Sequence, residues 1–95
     1  MLLEAIGLVP NFEAIFGVPP DHRLEQVRSR SRAGPRRDTY WEHEEYDGDG
    51  LLVARYESFQ EVEACTGAVR SGWTKYDADG WVVDEGRIAL INAAG

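Results

Sequence analysis

Three groups of side chains in this sequence have types and spacings that suit chemistry. The first is Arg28-Ser29-Arg30-Ser31-Arg32-Ala33-Gly34-Pro35-Arg36-Arg37, which runs into Tyr40 and Trp41. Guanidinium groups for phosphate and aromatic rings for stacking are what single-stranded nucleic acid requires. The competing use of the same charges is cross-strand pairing. With Ala33 to Arg37 as a loop, Arg32 falls opposite Asp38 and Arg28 opposite Glu42, so an acidic strand neutralises the basic one. Each exposed pair contributes only tenths of a kcal/mol, yet it occupies charge that a phosphate backbone would need.

The second group is a repeated pair of aspartates, Asp47-x-Asp49-Gly50 and Asp77-x-Asp79-Gly80. Set in the frame of an EF-hand loop, position 1 becomes Glu45 or Lys75 and position 12 becomes Tyr56 or Gly86. One frame starts on a cation and both lack the closing bidentate Glu, so no calcium site is expected. The third group is His43-Glu44-Glu45, which lacks the second His that a zinc-hydrolase helix carries four residues on, because position 47 is Asp. On a strand His43, Glu45 and Asp47 share a face, but His22 is the only other imidazole, and the expectation is a sheet-face histidine without metal. Cys65, the single cysteine, has no basic neighbour to lower its pKa and no intrachain disulfide partner. The sequence therefore predicts no enzyme, no metal and no cofactor.

The aspartate pairs instead predict turns. Tyr46-Asp47-Gly48-Asp49-Gly50-Leu51 and Tyr76-Asp77-Ala78-Asp79-Gly80-Trp81 each start with an Asp that can bond to amides ahead of it. Each then offers a Gly for the positive φ that a type I turn followed by a one-residue bulge demands. Aromatic and β-branched residues flank both, with Trp41 to Tyr46 and Leu51 to Tyr56 around the first tip. Trp73 to Tyr76 and Trp81 to Val83 flank the second. These tips resemble the short Tyr-Asp hairpins of YD-repeat (RHS-type) proteins, whose tandem units build large shells. The resemblance covers about six residues per copy, residues that any such turn prefers. It implies hairpins, and two copies do not make a shell.

The remaining elements follow from periodicity. Leu2, Ala5, Ile6 and Val9, then Phe12, Ile15 and Phe16, have helical spacing interrupted at Pro10. Asn11 is placed to cap the second piece, and Gly17 with Pro19 and Pro20 to stop it. Arg28, Arg30 and Arg32 alternate with Ser29 and Ser31, which puts all three Arg on one face of a strand over 24–32, although Asp21 could cap a helix there. Residues 58–67 match a capping box at Ser58 to Glu61, yet an extended run with Cys65 to Ala68 as the turn keeps sequential strands adjacent. Arg87 to Ile91 reads equally as a last strand or a short helix.

The expected fold is α+β, mostly β, a single domain over 1–95. It is an antiparallel meander of four to five strands with a short N-terminal helix packed on one face. Ten aromatic residues supply the apolar area for so small a core. The net charge is −7, with six Arg against Asp21 and Glu25 leaving residues 21–37 at +4 and the rest at −11. That balance opposes general nucleic-acid or anionic-membrane binding. Without a basic leader or a spanning apolar run, a soluble cytoplasmic protein is expected. Its expected role is a non-enzymatic interaction module whose partner is another protein or a second copy of itself. The alternative is RNA or single-stranded DNA binding through the basic hairpin 28–37.

Overall fold

The computed structural model describes residues 10–32, 36–63 and 65–88, and Asn11 opens the one helix among those described residues. Its side-chain oxygen accepts from the Ala14 amide at 3.3 Å, and Gly17 closes the helix in the left-handed conformation at φ 69°. This helix, α1 (Phe12–Phe16), has only five residues, too few to hold itself without tertiary packing. The helical spacing expected before Pro10 lies outside the described residues. No helix among the described residues is long and apolar enough to cross a membrane.

Five strands follow: β1 (Arg23–Arg32), β2 (Arg36–Tyr46), β3 (Leu52–Glu63), β4 (Val69–Asp77) and β5 (Val82–Gly86). They form one antiparallel sheet in the order β1-β2-β3-β4-β5, the expected meander at its upper strand count. Residues 24–32 are strand, and β3 runs straight through Ser58 to Glu63, so the capping-box helix does not form. The turn into β4 closes where Gly67 N–H donates to Glu63 O at 2.7 Å. Of the tail, residues 87 and 88 are neither strand nor helix, and the rest lies outside the described residues.

The two acidic tips are the same turn built twice. In the first, Asp47 accepts at one carboxylate oxygen from the Asp49 and Leu51 amides at 2.9 and 3.0 Å. In the second, Asp77 accepts from Asp79 and Trp81, both at 2.9 Å. The Leu51 amide, the largest cause, and the Asp49 amide hold the Asp47 carboxyl below its usual range. Gly50 and Gly80 take φ of 83° and 93°. Beyond each glycine the register slips by one residue, at Val53 against Glu45/Tyr46 and at Val83 against Lys75/Tyr76. An added Cβ at either glycine meets no atom within 4 Å, so the constraint is backbone conformation alone. Gly50→Val and Gly80→Val are each expected to destabilise the protein by about 1–2 kcal/mol. Urea midpoints unchanged at both positions would contradict this account of the tips.

A third slip decides which face the arginines occupy. Gln26 pairs with His43 but Arg28 pairs with Glu42, so Val27 is extra in β1. Strict alternation would place Leu24 and Arg28 on one face. The bulge instead keeps Leu24 against the core and turns Arg28, Arg30 and Arg32 to the other side, as bulges re-aim side chains.

Helix α1 covers one face of the sheet. Its Phe12 and Phe16 join Trp41, Ala54, Tyr56 and Ile88 in the core, with Leu24 and Trp73 at its margin. Phe16 stacks on Tyr56 with ring centroids 3.9 Å apart and planes 8° from parallel. Phe12 meets Trp41 edge-on at 5.0 Å.

Candidate functional site

The opposite face carries the chemistry, and its pattern follows from register. Across the strands, Arg30 stands beside Tyr40, Tyr40 beside Phe59 and Phe59 beside Gly72. One step along the strands lies the row Arg28, Glu42, Glu57 and Thr74, and one step the other way Arg32, Asp38, Glu61 and Arg70. An aromatic pair thus lies between two charged rows. The Phe59 ring reaches over Gly72, where an added Cβ would come within 3.3 Å of it, so the missing side chain lets the ring lie down on the sheet.

A concavity of about 440 Å³ opens on this face, with Tyr40 and Phe59 as its floor, Arg28, Arg30 and Arg70 on its rim, and Glu42, Glu57 and Glu61 also lining it. The Arg30 guanidinium lies 5.2 Å from the centre of the Tyr40 ring, and that of Arg70 lies 5.2 Å from the centre of Phe59. Arg28 reaches Glu42 at 3.5 Å and Arg70 reaches Glu61 at 3.3 Å. The Tyr40 hydroxyl donates to Glu61 at 3.2 Å. Partial burial, then Asp38 and Glu61, hold that hydroxyl above its ordinary pKa, so it remains a neutral donor.

The sequence-derived contact residues divide between the faces. Arg28, Arg30, Arg32 and Tyr40 meet on the open face, and the expected pairings of Arg28 with Glu42 and Arg32 with Asp38 are the observed register. Trp41 does not join them. It points to the α1 side, is 8% exposed and belongs to the core, so it is closed to a stacking ligand. Arg37 is exposed opposite Val62, in the register class of Trp41, and Arg36 stands opposite Glu63. Phe59 and Arg70 enter the site although the sequence does not single them out.

Under α1 lies a second polar group. Glu45, 3% exposed, accepts from the Tyr56 hydroxyl at 2.6 Å and meets His22 Nδ1 at 2.5 Å. Burial, followed by that bond to Glu45, raises the Tyr56 pKa far above the usual tyrosine value, which suits a fixed donor and not a base. His43 sits between Phe12 and Phe16, with ring centroids 4.4 and 5.7 Å away. Its Nδ1 has no hydrogen-bond partner.

Burial lowers the His43 pKa. A lowered histidine pKa means that the unfolded chain binds the proton more readily, so stability is full above about pH 6.5 and is lost as pH falls below it. The slope is at most about 1.4 kcal/mol per pH unit for one group. Urea midpoints between neutral and mildly acidic pH should fall accordingly and flatten in His43→Leu. A slope unaltered by that substitution would assign the dependence elsewhere.

Among the described residues, no three His, Cys, Asp or Glu side chains are grouped to hold a metal, and Cys65 is exposed in the β3–β4 turn. The chain matches no protein-family model, no curated protein and no solved structure.

Proposed function

We propose that the protein is a non-enzymatic interaction module whose contact surface is the open face of the sheet. The observation that supports the reading most is the asymmetry of the two faces. One is covered by α1, while no described element covers the other, where Tyr40 and Phe59 floor a concavity rimmed by arginines. Aromatic and Arg side chains in a central patch with a charged rim are the composition that protein interfaces favour. Immobilised protein incubated with extract of its own cells should retain a protein partner, and Tyr40→Asp should release it. Trp81→Ser, at an exposed turn residue away from the patch, should not. Retention insensitive to Tyr40→Asp would remove the open face from the reading.

One observation favours single-stranded nucleic acid as a second reading. Tyr40 and Phe59 lie side by side with a guanidinium over each, an arrangement on which bases stack. Glu42, Glu57 and Glu61 share the patch and the net charge is −7, which together oppose a phosphate backbone. Arg28→Gln with Arg32→Gln should lower stability by a few tenths of a kcal/mol. Oligonucleotide affinity should be negligible in both forms. Micromolar binding by the wild type that weakens steeply with salt, and a flattened slope in the double variant, would put nucleic acid first.

A further inference from the structure

We propose that the outer edge of β5 is a docking site for an extended basic segment of another protein, which joins the sheet as a further strand. The edge lies outside the open-face concavity, and the inference does not rest on that surface. Among the described residues no strand pairs with either outer edge of the sheet, so β1 and β5 each present unused backbone amides and carbonyls. The two edges differ in how they are defended. β1 carries Arg28, Arg30 and Arg32 along one face and has a bulge at Val27, devices that discourage pairing. β5 opens instead on Val82 and Val83, 56% and 53% exposed, directly after Trp81 at 72%. Exposed β-branched side chains on an unpaired strand are what an incoming strand covers.

Register fixes what that strand must carry. Val82 stands opposite Tyr76 and Glu85 opposite Thr74, so the slip at Val83 brings both to the open-face side although they are three positions apart. A partner without a bulge meets them with residues two apart, an apolar one beside Val82 and a cation beside Glu85. Running antiparallel to β5, it reads Lys or Arg, any residue, then Val or Ile. Glu85 selects the cation because its carboxylate is exposed and has no ion pair among the described residues. Across the ladder it meets Thr74, and the next group in that row is Glu57. Asp84, by contrast, stands opposite Lys75, and Arg87 lies beyond the end of the strand.

A basic partner is also attracted from a distance, since the chain carries −7 and its arginine-rich strand lies at the other edge. Four strand spacings of about 4.8 Å put β1 about 19 Å away, more than two Debye lengths of about 8 Å at physiological salt. The arginines therefore do not offset the acidic edge. The β5 of a second copy would add Asp84 and Glu85 to Asp84 and Glu85, and like charges side by side oppose that pairing.

The test is a titration of the isotope-labelled full chain, followed by its backbone amide resonances, with the peptide acetyl-Thr-Thr-Lys-Thr-Val-Thr-amide. It is repeated with Glu in place of Lys in the peptide, with the peptide N-methylated from Lys to Val, and with the chain variant Glu85→Lys, whose site is exposed. The expected result is submillimolar binding with the resonance changes centred on Val82 to Gly86. N-methylation removes the amide donors of the ladder and should weaken binding at least about tenfold. Glu85→Lys should weaken the Lys peptide about fivefold and accept the Glu peptide in its place, which also shows that the variant is folded. Binding absent at millimolar peptide overturns the proposal, as does an N-methylated peptide that binds equally or a charge exchange without effect. Changes centred on Tyr40 and Phe59 overturn it too and assign the peptide to the open face. Resonances of β5 that move with protein concentration alone would give the edge to a second copy, again against the proposal.

Discussion

Phe16→Ala is expected to remove about 3–5 kcal/mol, a large part of the stability of so small a domain. The ring is 8% exposed and lies parallel to Tyr56 at 3.9 Å, and it meets His43 and Trp73 edge-on at 5.7 and 5.4 Å. Neither side of the cavity can close easily. The sheet below is fixed by its ladder, and α1 above has five residues, of which Phe12 alone would remain buried. The expected result is a lower urea midpoint and weaker near-ultraviolet dichroism from Trp41 and Trp73, with the sheet signal retained under native conditions. A loss below about 1 kcal/mol would show that α1 contributes little to the core.

Glu45→Ala is expected to destabilise by about 2–4 kcal/mol. Removing the carboxylate leaves the Tyr56 hydroxyl, on a residue 1% exposed, without its acceptor. It also opens space beneath α1. The loss stays below that of a fully buried ion pair because the His22 side chain, 22% exposed, can turn to water. Tyr56→Phe removes a donor instead and should cost about 1–2 kcal/mol, since Glu45 keeps His22. Equal effects of the two substitutions would mean that the carboxylate acts only through Tyr56.

What the sequence discloses here is mostly local. The tips at Gly50 and Gly80, the Asn11 cap and the Gly17 stop depend on residues within four positions of one another, and their chemistry is readable without knowing the fold. The pairing of Arg28 with Glu42 and of Arg32 with Asp38 is nearly as local, because loop length sets the register across β1 and β2. Alternation also separates Tyr40 from Trp41, although as a composition the two look like one aromatic patch.

The bulge at Val27 is less legible. No glycine marks it, and without it the alternation through Leu24 sends Arg28 to the wrong face. Phe59 and Arg70 become site residues only once β3 and β4 are in register, which requires counting outward from the first tip through the Val53 slip. His22, Glu45 and Tyr56 are brought together over sequence separations of 23 and 11 residues, beyond the reach of any local pattern. Each residue taken alone has an ordinary surface reading.

The strictly sequential strand order also bears on how fast the chain finds this structure. Every strand pairs with its chain neighbour, so each ladder closes a short loop and the entropic barrier stays low for a β protein. The two acidic tips can each zip independently, and β3 against β4 then joins the hairpins. Helix α1 is different, because Phe16 touches His43, Tyr56 and Trp73 together only after three strands, β2, β3 and β4, are aligned. Its docking therefore belongs late on the path, and a chevron of Phe16→Ala should show the lost stability chiefly as faster unfolding with the refolding arm little changed. A protein assembled in that order gains its persistence from the element that arrives last.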